Sequence, residues 1–268
     1  TFFNLQVASG ETVFDEQVAV NGNLQIDAGA ESSDDAALKS VHYARHLYYL
    51  SIQSRYAEAN ELAMATSQIA LDRGDAVSYL SAEFFHAWGL FYQGEWDEML
   101  SGIERSLALA QKNAHTPWIL HFQLQKAWLL TQAGDFVGAR ELCLPIYEQV
   151  RAGAAGSLYF FSLIILIQLE TGAGQSEASQ AYVSEVTTVL EQNSLAIDWV
   201  LKFSLQQGLA DFYLQQEAWD KAREAALELQ AQAACSGEQT YQVMADYFLA
   251  KCAFGDNNGK AGKECLER

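Results

Sequence analysis

The chain has 268 residues, half of them hydrophobic, with two prolines and a formal charge of −18 from 34 acidic against 16 basic side chains. That apolar content excludes a wholly disordered chain, and abundant Ala, Leu, Gln and Glu with so little proline favour helices over a many-stranded sandwich. The acidity opposes binding to phosphate backbones or anionic lipid, because no cluster of Lys and Arg offsets it.

Residues 1–36 read as a unit of their own. In "EQVAVNGNLQIDAG" the apolar positions Val18, Val20, Leu24 and Ile26 alternate around Asn21-Gly22, which predicts a short hairpin or an extended cap. A degraded helix is the alternative, disfavoured by Gly10, Gly22 and Gly29. A linker and a capped helix start at Ser33 or Asp34 follow.

From residue 37 to 268 the chain repeats. Tyr56, Trp96, Phe136 and Trp219 each open a helical stretch, with Ala59, Met99, Ala139 and Ala222 three positions later; Ser176 and Ser179 form a degenerate copy. Successive anchors stand 40, 40, 40 and 43 positions apart, a period in the range of solenoids. Ahead of the anchors, Leu47, Ala87, Ala127, Ile167 and Ala210 supply first-helix contacts, and Leu50, Leu90, Leu130, Glu170 and Tyr213 follow on the same face. Second helices such as "WDEMLSGIERSLALAQ" space their apolar residues by three and four, and Asp97, Glu98 and Asp220 sit in first turns, where the helix dipole favours acids. "SLYFFSLIILIQL", from Ser157 to Leu169, is too short to span a bilayer and is read as a fully buried helix. A sixth, broken copy is expected around Leu249 to Ala261.

The small residue on the first helix, glycine before the turn at Gly94 and Gly134, an aromatic opening the second helix and Ala three residues on resemble the tetratricopeptide repeat family. The period exceeds that family's usual length of about 34 residues. In this it is similar to the helical repeat regions of MalT-type bacterial signalling ATPases and transcription regulators. The resemblance implies an all-α fold, a right-handed α-solenoid of antiparallel helix pairs. It also places Tyr48, Trp88, Trp128, Gln168 and Asp211 on the side of the first helices that lines a concave groove.

Tyr48, Trp88 and Trp128 then form an aromatic strip, joined by Phe84, Phe91, Tyr92, Leu124 and His121. Such rings offer broad contact area at modest entropic cost. A column of His46, His86 and Lys126 faces the other way, one repeat apart, too far for a shared metal. The four cysteines lack C-x-x-C spacing, which fits reduced thiols in a cytoplasmic protein; a disulfide is the lesser reading. No P-loop, G-x-S-x-G, H-E-x-x-H or dinucleotide-binding glycine pattern is present, so no catalytic residue, metal or cofactor is expected. Because the sequence opens on Thr and stops within a helical pattern, it reads as a piece of a larger protein. The expected role is a non-catalytic scaffold or sensory module that binds a peptide, a partner protein or a neighbouring domain. The alternative is effector sensing, with a small metabolite held in an apolar pocket of a closed superhelix.

Overall fold

The computed structural model describes residues 43, 46–51, 53–153, 156–192 and 199–267. The hairpin or cap expected within 1–36, and the helix start at Ser33 or Asp34, lie outside them. Among the described residues the only regular structure is helix. Helical residues 46–51 and α1 (Tyr56–Arg73) form a first pair, followed by α2 (Ala76–Gln93) with α3 (Trp96–Lys112) and α4 (Thr116–Ala133) with α5 (Phe136–Val150). After a short 3-10 turn come α6 (Ser157–Gly172) with α7 (Ser176–Gln192), and α8 (Trp199–Gln215) with α9 (Trp219–Ser236). The sixth pair is α10 (Gln239–Gly255) with α11 (Gly259–Leu266), across the stretch where the sequence pattern suggested a broken copy.

Each anchor opens the second helix of its pair, as the repeat pattern predicts. The turns before them are sharp for a local reason. Gly94 and Gly134 adopt left-handed φ values of 82° and 83°, and their backbone N–H groups return to carbonyls of the preceding helix. That backbone carries a steric cost for residues with a Cβ. The aromatic anchors then pack on the end of the next first helix. A Cβ on Gly172 would lie 2.6 Å from the Phe136 ring, and one on Gly255 would lie 2.7 Å from Trp219. In the fourth pair the anchor is Ser176, and packing gives way to a buried hydroxyl pair between Thr171 Oγ1 and Ser179 Oγ at 2.7 Å.

Consecutive helices from α1 to α7 and from α8 to α11 pack on one another, and α2, α4, α6, α8 and α10 also touch in succession, so the first helices make a continuous row. Helix α6 is its centre, contacting α4, α5, α7 and α8. Every residue from Tyr159 to Thr171 is buried, as expected for this apolar run. Its one acid, Glu170, stands in the register that Leu50, Leu90 and Leu130 hold elsewhere, and Arg140 of α5 grips it with two hydrogen bonds of 2.8 and 2.5 Å. No described helix is long and apolar enough to cross a membrane.

The row does not end open. Ser54 and Tyr56, at the turn of the first pair, donate hydrogen bonds to Glu238 Oε1 at 2.5 and 2.8 Å, just before α10. Tyr56 Oη also lies 3.0 Å from Thr240 Oγ1, and Tyr92 donates to the Tyr241 hydroxyl at 2.9 Å. Side chains thus join the first two pairs to the sixth. The inner surface, expected as a concave groove, is bridged.

Candidate ligand cavity

The bridge walls one side of a partly open cavity of about 130 Å³. Its walls come from successive first helices. The first pair supplies Tyr48 and Tyr56, and α2 supplies Phe84, Phe85, Trp88 and Tyr92. His121 enters from α4, Phe161 from α6 and Phe203 from α8; Glu238 and Tyr241 close the far end. The step of four residues between Phe84, Trp88 and Tyr92 keeps all three on one face of α2. Tyr92 stacks on Tyr56 with ring centroids 4.9 Å apart, and Trp88 meets Phe161 at 5.9 Å.

Of the residues expected to form the binding strip, Tyr48, Phe84, Trp88, Tyr92 and His121 line this cavity. Phe91, Leu124 and Trp128 do not. Trp128 is 2% exposed, wedged between Trp88 and Phe91 at centroid distances of 4.4 and 4.0 Å. Phe91 also stacks on Trp96, and Leu124 is fully buried. These three hold α2, α3 and α4 together, because neighbouring first helices in the middle of the row lie close enough to cover them. Gln168, in the same repeat position, is a polar bridge: it accepts from Gln132 Nε2 at 3.0 Å and donates to the Ser204 carbonyl at 3.1 Å.

The polar groups gather at the closure. Glu238 is 2% exposed and caps α10, its second carboxylate oxygen accepting from the Tyr241 backbone N–H. Together with Ser54 and Tyr56 this gives the carboxylate three donors and no Lys or Arg partner among the described residues. The Tyr241 hydroxyl lies 2.9 Å from Ser204 Oγ as well as from Tyr92. Burial raises the pKa of the Tyr56, Tyr92 and Tyr241 phenols, so all three stay protonated. Burial lowers that of His121, whose Nδ1 donates to the Pro117 carbonyl at 2.8 Å. The lining therefore presents ring faces, neutral hydroxyls, a neutral imidazole and one carboxylate.

Glu238, Tyr241, Phe203 and Phe161 escaped the sequence reading, because each reaches the cavity by the bending of the row and not by its place in the repeat. Tyr56 carried a visible signal: it is the one aromatic anchor with a hydroxyl, which Phe136 and the tryptophans lack. Of the outer column, Lys126 pairs with Glu104 at 3.0 Å, and His86 is half-buried, its pKa lowered first by burial. Among the described residues no three His, Cys, Asp or Glu side chains converge as a metal site. Cys143 and Cys252 are buried thiols. No protein-family model matches the chain, and no curated protein matches its sequence.

Proposed function

We propose that this chain is a non-catalytic recognition module that holds a compact, mostly apolar small molecule in the cavity, as the sensory part of a larger regulatory protein. The observation that carries this reading is the bridge from Ser54 and Tyr56 to Glu238, which adds a wall to an aromatic inner surface and makes a pocket of it. A cavity of about 130 Å³ is near the ~150 Å³ of an apolar cavity known to take benzene. An extended peptide of several residues exceeds that volume. The MalT-type resemblance points the same way, toward an effector pocket rather than an open peptide groove. Burial of an apolar ligand against Phe84, Trp88 and Tyr92 supplies the affinity, and the ordering of α10 against the first pair supplies the signal.

Thermal unfolding with phenol, indole and an amphipathic helical peptide tests this. A small aromatic present at a hundred times its Kd stabilises the fold by about 2.7 kcal/mol and shifts Trp88 emission. Saturable binding of the peptide, with unfolding indifferent to every small molecule, overturns the reading in favour of peptide capture.

A further inference from the structure

We infer that the occupant of the cavity is an organic cation whose charge is wrapped in carbon, a tertiary or quaternary ammonium group; this rests on the small-molecule reading above. Among the described residues no Lys or Arg lines the cavity, and the one acid that does, Glu238, is 2% exposed with no basic partner. All of its partners are donors, two hydroxyls and a backbone N–H, so the site is built around a carboxylate. Its full charge outweighs the roughly half-unit of positive charge at the start of α10.

The remaining walls favour the same sign. The rings of Tyr48, Phe84, Phe85, Trp88 and Phe161 line the cavity. The faces of such rings carry the negative part of the aromatic quadrupole, and a cation within about 6 Å of a ring centre is attracted to it. The pattern of acceptors then selects among cations. A primary ammonium brings three donors into the cavity, whereas Glu238 already accepts two hydrogen bonds on Oε1 and one on Oε2. Ring faces do not replace strong acceptors, so desolvating those donors is costly. A methylated ammonium has few or none to satisfy and responds to the carboxylate field and the ring faces alone. The size fits one such head group, and the charge of −18 concentrates cations near the chain.

Calorimetric titration of the whole chain with choline and with its neutral tert-butyl analogue, in which carbon replaces nitrogen, separates charge from shape. Choline is expected to bind at least about tenfold more tightly, and Glu238→Gln to reduce that ratio toward one. Trp88→Leu, which removes none of the hydrogen bonds of the closure, weakens choline roughly threefold to thirtyfold while changing the analogue less. Circular dichroism checks that each variant folds, and Trp88→Leu carries the test if Glu238→Gln does not. Equal binding of choline and the analogue overturns the cation inference and leaves the small-molecule reading standing. Failure of choline, the analogue, phenol and indole alike overturns both.

Discussion

At the scale of single residues, burial fixes the protonation of the groups around the cavity, and this has a measurable sign. The His121 pKa is lowered in the folded chain by burial, so between its folded value and about 6.5 the unfolded chain binds more protons. Stability from this group is therefore full above about pH 6.5 and is lost as pH falls through that window. Urea denaturation at pH 7.5 and 5.5 is expected to show a larger loss for the native sequence than for His121→Gln; parallel losses would sink the assignment. The decline does not vanish in the variant, because the His86 pKa is lowered in the same direction. Single residues also mark the limit of what sequence reasoning reached. Trp88 and Trp128 are equivalent in the repeat, yet one lines the cavity and the other is 2% exposed core. Repeat position fixes which face of a helix a side chain occupies. What covers that face depends on where in the row the helix stands.

At the scale of helices and pairs, the regular features were legible because they arise from local chemistry. Turn glycines, aromatic anchors and three- and four-residue spacing all act within one pair, so the pair boundaries follow from the sequence. The deviations needed neighbours. Glu170 in a leucine register makes sense only with Arg140, on the preceding helix, which grips it. Arg140→Ala leaves a buried acid unpaired and is expected to cost about 2 kcal/mol, the partial exposure of Arg140 having been allowed for. Glu170→Leu restores the residue type of Leu50, Leu90 and Leu130 and is expected to fall within about 1 kcal/mol of the native stability. Both are read from urea midpoints at constant m-value. Equal costs for the two substitutions would mean that the pair, and not the removal of an unpaired acid, is what matters.

At the scale of the whole molecule, the decisive feature is contact between residues 184 positions apart, Ser54 and Glu238. A stack of helix pairs is held by nearest-neighbour interfaces, and mutations at its two ends ordinarily add. The closure makes them interact. A double-mutant cycle of Ser54→Ala and Glu238→Gln is expected to show a coupling energy of about 1 kcal/mol; a value under about 0.3 kcal/mol would mean that the ends act independently. No local pattern announces such a contact, which is why an open groove was the natural expectation from the repeat alone.

The same closure orders events in time. Helices form and pair with their neighbours quickly, whereas a contact across most of the chain waits for everything between to be in place. During synthesis α2 and α4 emerge well before α10, so Phe84, Trp88 and Tyr92 wait for the residues that complete their enclosure. The cavity is the last part of the molecule to exist and, by the same reasoning, among the first to be lost when the structure loosens. An occupant bridging Trp88 and Glu238 would slow that first step of unfolding, so its presence would be written in the lifetime of the folded chain as well as in its shape.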